Sequence, residues 1–449
     1  MPRFKSVTLV LVMLLFSFVT AFAANDGPTV LLISIDGLKP EAVLEAQAHG
    51  LHVPNLAQLV QDGAYARGVR GVLPTLTYPS HTTLLTGASP ARHGIVANTT
   101  FDPWNRNAQG WYWYAEDIRV PTLWDAAHAA GLVTANVYWP VSVGARIDYN
   151  LPQIWRTGTD DDLKLQRTLS TPGLEPELVA ALGHYPGGME ESVADDETRS
   201  RFAARIIKTK HPAFMTVYFT GLDTEQHKSG PFSGASNSVL ERIDVLVGKL
   251  RTVAEEDAPG RVYICVVSDH GFAAVQHDVN LYVAFLQAGL FRLGPKQTVQ
   301  SWKAMPWPAG GSAAIMLAKS DDKAARKRAE ALLKRLAANP ENGIDRILTR
   351  EEIASHGGFP DAEFYVTFKL GYELGLNFTG SLVSAPAHGG MHGYLPENPA
   401  MMSSFFLVGP GMRHQDLGQI DMRSIAPTLG GILGLHLEGS ELPALALQE

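Results

Sequence analysis

The chain of 449 residues contains a single cysteine, Cys265. A lone thiol excludes an internal disulfide framework and every zinc module built on paired cysteines, so any metal must rest on His, Asp and Glu. Basic side chains are also in short supply, with 37 Lys and Arg against 45 Asp and Glu, a formal charge of −8 and no long basic block. That speaks against a nucleic-acid-binding surface. Beyond the N-terminus no apolar run reaches membrane-spanning length. Internal repeats, low-complexity tracts, a Gly-x-Ser-x-Gly elbow and a phosphate-binding P-loop are all missing. What is present is an ordinary globular composition, 45% hydrophobic and 18% charged, with 42 Gly and 28 Pro. At roughly 100–200 residues per domain, length alone suggests two or three domains, but large α/β enzymes often exceed that size.

Residues 1–24 open with Arg3 and Lys5, run uninterrupted through apolar residues 9–16, and end on Ala21-Phe22-Ala23. This is the form of a cleavable signal over 1–23; an N-terminal anchor is the other reading, and the small residues at the cleavage site favour the signal. Its removal takes the charge of −8 two units lower. The expectation is an exported bacterial protein, periplasmic or secreted, with no stable membrane anchor once the signal is gone.

Three short β-branched runs, 29–35, 213–219 and 262–267, each lead into an aspartate: Asp36, Asp223 and Asp269. Each reads as a buried strand delivering a carboxylate at its carboxyl end. Between them lie helical patterns at 55–64, 122–130, 196–208 and 236–252, the last with a cap at Ser236. Strands alternating with helices predict an α/β fold, a mainly parallel central sheet with helices on both faces. In such sheets sites form beyond the carboxyl ends of the strands. The stretch 278–382 differs in texture and reads as a small subdomain or cap inserted into one catalytic domain spanning 24–449. Within it, 312–317 and 363–370 read as strands. The Lys/Arg-rich helix at 321–337, with Lys323, Arg326, Lys327 and Arg328, is either a solvated face or an anion-binding face, and the first is the commoner use of such a run.

Four clusters carry chemistry: Asp36-Gly37, Asp223-x-x-x-His227, Asp269-His270-Gly271, and His392 within Gly390-Met391-His392-Gly393-Tyr394. Singly each is weak, since an Asp after a strand is often a cap. Adjacent ionisable groups directly after a buried strand, however, need partners. Three Asp and three His are the ligand stock for two first-row divalent ions in mixed nitrogen and oxygen coordination, most naturally Zn2+. Residues 73–87 form a hydroxyl-dense stretch broken by Pro74 and Pro79, read as a loop entering a helix near Ser80. A capping loop would explain it alone; beside a two-metal ligand set, a threonine nucleophile explains it better.

The succession Ser34-Ile35-Asp36-Gly37, Pro74-Thr75-Leu76-Thr77-Tyr78-Pro79-Ser80-His81, Thr86-Gly87, His93-Gly94-Ile95-Val96-Ala97-Asn98, Tyr218 through His227, Ser268-Asp269-His270-Gly271 and Gly390-Met391-His392-Gly393-Tyr394 resembles the nucleotide pyrophosphatase/phosphodiesterase (type I phosphodiesterase) family of the alkaline phosphatase superfamily. The motifs keep their order from about residue 30 to 435. The resemblance implies an alkaline phosphatase-like fold and two Zn2+ ions. Asp36, Asp269 and His270 would hold the ion that activates Thr77; Asp223, His227 and His392 would hold the one at the leaving-group oxygen. Thr77 would attack phosphorus to give a phosphothreonine intermediate. Asn98 and the backbone N–H of Tyr78 would hold a nonbridging oxygen. Tyr78 and Tyr218 match positions that sandwich a nucleobase, or else pack the core.

The implied partner is a small phosphodiester or nucleotide, and the implied activity is hydrolysis of phosphodiester or pyrophosphate bonds. A phosphomonoesterase or phosphonate hydrolase using the same site is the alternative. Monoesterases of this superfamily add cationic side chains for the extra phosphoryl charge, and no Lys-x-Arg stands between residues 138 and 156, which favours a diester. The pattern departs from the family at Leu222, Gln226 and Leu395. Phe101, Trp104, Trp111, Tyr112, Trp113, Tyr114, Trp124, Tyr138 and Trp139 read equally as a buried wall or as the lining of a substrate groove.

Overall fold

The structure is a computed structural model that describes residues 27–107, 110–187 and 191–448; the expected signal lies outside them. Among the described residues no helix is long and apolar enough to cross a membrane.

Eight strands form the central sheet: β1 (Thr29–Ile35), β2 (Ala64–Tyr65), β3 (Thr134–Val137), β4 (Tyr149–Leu151), β5 (Phe214–Phe219), β6 (Val262–Val267), β7 (Phe405–Val408) and β8 (Gln415–Asp416), in the order β8-β2-β7-β6-β1-β5-β3-β4. The block β6-β1-β5-β3-β4 is parallel throughout, and β7 runs antiparallel against β6 and β2. Every residue of β5 and all but the first of β1 are buried. A strand buried on both faces needs a layer above and below, which is why these runs are continuously apolar rather than alternating.

Two groups of helices supply those layers. α1 (Pro54–Asp62), α4 (Val193–Lys210), α5 (Gly221–Ser229) and α6 (Gly234–Asp257) pack among themselves; α2 (Thr77–Thr86), α3 (Leu123–Ala129) and α8 (Ile425–Ile432) form the other group. α6 begins earlier than its pattern suggests. Its first turn is capped by Ser233, whose hydroxyl accepts from the Ser236 N–H at 3.1 Å, so Ser236 is inside the helix and not its cap. α2 likewise starts at Thr77, three residues before Ser80, and all ten of its residues are buried.

A second apolar cluster gathers residues from Ala273 to Met401, and the sequence-defined insertion at 278–382 falls within that stretch. Its antiparallel sheet has the order Ala304–Pro308, Ser312–Leu317, Phe364–Phe368, Ile344–Leu348. Against it α7 (Lys323–Ala337) sets Ala325, Ala329, Leu332, Leu333 and Leu336, a stripe at helical spacing, while Lys323, Arg326, Lys327 and Arg328 face solvent. The strand Ala273–Val279 follows directly from Asp269-His270 and pairs with Gly390–Met391. That pairing returns the chain to the carboxyl edge of the central sheet and delivers His392.

Candidate metal centre and its clefts

β5, β1 and β6 are adjacent and parallel, so their carboxyl ends open side by side. Asp36 is the first residue after β1, Asp269 the second after β6, and Asp223 lies in the first turn of α5, which begins just past β5. One turn further along α5 stands His227. All six sequence-predicted ligands meet here. The ligand atoms of Asp223, His227 and His392 lie within 4.8 Å of one another, and so do those of Asp36, Asp223 and His270. Asp223 therefore stands in both groups. Asp269 joins through its Oδ2, 3.1 Å from His270 Nε2.

The imidazoles are fixed from behind. His392 Nδ1 donates to the Thr75 carbonyl at 2.9 Å, His227 Nδ1 to that of Gly390 at 3.1 Å and His270 Nδ1 to that of Gly271 at 3.1 Å. This arrangement leaves each Nε2 lone pair facing the carboxylates. Burial holds all three rings neutral, with His392 pushed down to about 3, His227 to about 4 and His270 well below its ordinary value. The carboxyls move the other way. Burial raises Asp269 to about 6, and burial reinforced by neighbouring carboxylates raises Asp36 and Asp223 well above the usual range.

Such a cluster has no internal counter-charge. Asp36 Oδ1, Asp223 Oδ1 and Asp269 Oδ2 are buried without a hydrogen-bond partner among the described residues. They face neutral Nε2 atoms at 3.3 Å (His270 to Asp36) and 3.5 Å (His227 to Asp223), acceptor against acceptor. Lone pairs of nitrogen and oxygen directed at one another from a buried shell are the donor set that divalent cations take. The residues present thus fit metal ions.

Thr77 is the hydroxyl that faces this shell. Thr75, Thr82, Thr83 and Thr86 each donate to a backbone carbonyl at 2.7–2.9 Å. Thr77 Oγ1 instead lies 3.5 Å from His270 Nε2, its one hydrogen-bond contact among the described residues. Its place in the first turn of α2 sets it there. Asn98 Oδ1 accepts the Tyr78 N–H at 2.9 Å, so the two groups expected to hold a phosphoryl oxygen are bonded to each other.

Of the two readings of Tyr78 and Tyr218, their burial favours core packing. Tyr78 and Tyr218 are 1% and 2% exposed and offer no face to a nucleobase. Tyr78 packs against Trp111 and Trp113 and donates to Gln153 Oε1 at 2.9 Å, while the Tyr218 hydroxyl donates to Asp36 Oδ2. Tyr218 is thus a support of the Asp36 carboxylate. The wider aromatic set divides. Trp113, Trp124, Tyr138 and Trp139 are core, whereas Phe101, Trp104 and Trp111 line a cleft of about 620 Å3 with Trp307 and Phe378. Through Thr99, Pro308 and Leu376 this cleft adjoins a second, of about 330 Å3, that reaches Asn98 and His392.

Three contributors are given no role by the sequence. His81, one turn after Thr77 on α2, bonds the Thr77 carbonyl at 2.8 Å and Ser34 Oγ at 2.9 Å and places Nδ1 3.6 Å from Asp269 Oδ2. Its i, i+4 spacing from Thr77 was the available signal. Gln226 donates to the Gly37 carbonyl at 3.0 Å and ties α5 to the turn after Asp36. Gly37 has φ +69°, and a Cβ there would lie 2.7 Å from Gln226 Nε2, so the departure at Gln226 and the glycine are one fitted pair. Glu373, with no motif around it, is buried beside the smaller cleft and pairs with His388 at 3.0 Å.

A parallel sheet that brings three aspartates and three histidines into one shell beside a buried threonine defines an α/β protein with a centre suited to metal ions. The chain belongs to the type I phosphodiesterase / nucleotide pyrophosphatase family, which it matches over residues 30–395. It is 28% identical over 263 residues to ectonucleotide pyrophosphatase/phosphodiesterase family member 3 of Rattus norvegicus, covering 56% of this chain and 26% of that protein. It is 25% identical over 286 residues to the bis(5'-adenosyl)-triphosphatase of Pongo abelii, covering 61% and 55%. The chain thus spans about a quarter of the length of the first of these relatives and about half of the second. In fold it is similar to human ectonucleotide pyrophosphatase / phosphodiesterase 5, with a TM-score of 0.66 at 19% identity over 93% of this chain and 96% of that one. The murine counterpart, an inactive variant in complex with AMP, gives 0.65 at 19% identity over the same shares.

Proposed function

We propose that this chain hydrolyses phosphodiester or pyrophosphate bonds of small molecules, with Thr77 as nucleophile and two Zn2+ ions held by Asp36, Asp269 and His270 and by Asp223, His227 and His392. The carrying observation is that the Thr77 hydroxyl lies 3.5 Å from His270 Nε2, the nitrogen that faces the buried and unpartnered carboxylate oxygens of Asp36 and Asp269. Bound there, divalent ions would supply Lewis acidity for the attacking and departing oxygens. Thr77 Oγ1 attacks phosphorus and gives up its proton to solvent, the P–O bond to the departing alcohol or phosphate breaks and that oxygen leaves as its anion or takes a proton from solvent, and a threonine phosphoester remains; water then attacks phosphorus, its oxygen staying on the phosphate and a proton returning to the Thr77 hydroxyl. His81 and the start of α2 hold the Thr77 backbone in place, and Tyr218 holds Asp36. Asn98, whose Oδ1 accepts the Tyr78 N–H, would steady a phosphoryl oxygen through its side-chain N–H groups alongside that backbone donor.

The two adjoining clefts take the group that does not react. No Lys or Arg stands among the described residues lining them, while Asp102, Asp278 and Glu373 do. A dianionic monoester, or a chain of further phosphates, finds no fixed cation there, which supports a diester. The N-terminal pattern supports export.

A substrate panel on zinc-reconstituted protein tests the reading. The expected order in kcat/KM places an aryl phosphodiester first, above a nucleoside triphosphate, the matching aryl monoester and phosphonoacetate. A monoester or phosphonate in first place would overturn it.

A further inference from the structure

Against the start of α5 the fold buries an ion pair. Asp196 and Arg199, one turn apart on α4, are both fully buried, with Arg199 Nη1 3.2 Å from Asp196 Oδ1. Taking both charges out of water is costly, so their other contacts are informative.

Two arms leave this pair. Asp196 accepts the backbone N–H groups of Thr220 and Gly221 at 3.1 and 2.8 Å. These are donors at the start of α5 that the helix itself leaves unpaired, and α5 carries Asp223 and His227. Arg199 Nη1 adds a bond to Thr220 Oγ1 at 3.1 Å. The approach is close enough that a Cβ on Gly221 would lie 2.7 Å from Val193 N and 2.8 Å from Asp196 Oδ2. Along the second arm, the Arg199 guanidinium lies 3.6 Å from the Tyr138 ring centroid, Tyr138 stacks on Tyr218 at 6.2 Å and 16°, and Tyr218 donates to Asp36. Tyr138 holds φ +68°, a conformation that a bulky residue adopts only where its surroundings impose it.

We propose that Asp196 and Arg199 are positioning residues that set the spacing between the two halves of the metal centre, Asp223 and His227 through the start of α5 and Asp36 through Tyr138 and Tyr218. The inference rests on reading those three residues as ion ligands, but not on which ester is hydrolysed. Neither member of the pair touches a reacting group.

The test is zinc affinity of the full chain, measured by chelator competition at a temperature well below unfolding, with melting temperature recorded alongside. Asp196→Asn should weaken at least one zinc by about tenfold or more, and Tyr218→Phe, a milder change that keeps the ring, should weaken zinc binding in the same direction. Leu250→Ala, which hollows the core on α6 away from the site, should lower the melting temperature and leave zinc affinity as it was. Wild-type zinc affinity in both Asp196→Asn and Tyr218→Phe would overturn the proposal. Should Asp196→Asn fail to fold, Tyr218→Phe decides alone. A wild-type chain that bound no zinc would instead sink the metal reading itself.

Discussion

Buried aspartates are not rare in this chain, and their surroundings separate structural ones from those of the site. Asp244 receives the N–H groups of Asn55 and Leu56 at 3.2 and 2.7 Å. Asp162 receives N–H groups from Arg156, Thr157 and Gly158, and those bonds hold its carboxyl below the ordinary range despite its burial. Asp36, Asp223 and Asp269 have one oxygen each with no donor, and their carboxyls are raised. A titration consequence follows at this scale. In the metal-free protein Asp269, raised to about 6, takes up a proton as pH falls through that value, whereas His227 and His392, at about 4 and about 3, stay neutral. A cation needs the ionised carboxylate, so acid competes with it. Zinc affinity should fall by at least about tenfold per pH unit between pH 6 and 5, because the raised carboxyls of Asp36 and Asp223 add to the proton that Asp269 takes up. Chelator competition across that range checks it; an affinity constant down to pH 5, falling only below 4, would place control on the imidazoles instead.

At the scale of elements, legibility followed how local the cause was. The strands at 29–35 and 262–267 lie where their unbroken β-branched runs put them, since burial on both faces writes itself directly into composition. Helix starts were less legible. Pro74 and Pro79 read as breakers, yet Pro79 sits in the first turn of α2, where its missing N–H has no carbonyl to lose, and so the helix includes Thr77. For α6 the pattern points to Ser236, and the side-chain bond decides for Ser233 instead. Ser233→Ala should cost about 1 kcal/mol of stability, read as a shift in denaturant midpoint with turnover unchanged. A midpoint within error of wild type would move the cap elsewhere. The clustering of the six candidate ligands was readable because each follows a strand or lies one turn from, or beside, another of them. Which of its two roles Tyr218 takes was not legible, because a motif does not say which face of β5 an aromatic ring takes, and only the packing of Tyr138, His81 and Asp36 around it shows that. Glu373 was invisible for a related reason: nothing near it in the chain reports that it is buried next to His388.

On the scale of the whole molecule, the carboxyl ends of central-sheet strands lead into five of the six candidate ligands and α2 supplies Thr77, while the strand pair Ala273–Val279 and Gly390–Met391 brings in His392. His392 then stacks on His270 at 3.6 Å, so the two apolar clusters meet at the centre itself. The larger cleft shares this origin, lined by Phe101, Trp104 and Trp111 from the stretch after Asn98 and by Met305, Trp307 and Phe378 from within 278–382, with Phe101 packed on Trp307. Any group bound there is read by both parts of the chain, while the chemistry at phosphorus is assigned to one hydroxyl. The direct measurement is therefore the phosphodiesterase activity of zinc-loaded Thr77→Ala. The account predicts a fall in kcat/KM of about a thousandfold or more with zinc content unchanged; turnover near the wild-type rate would contradict it.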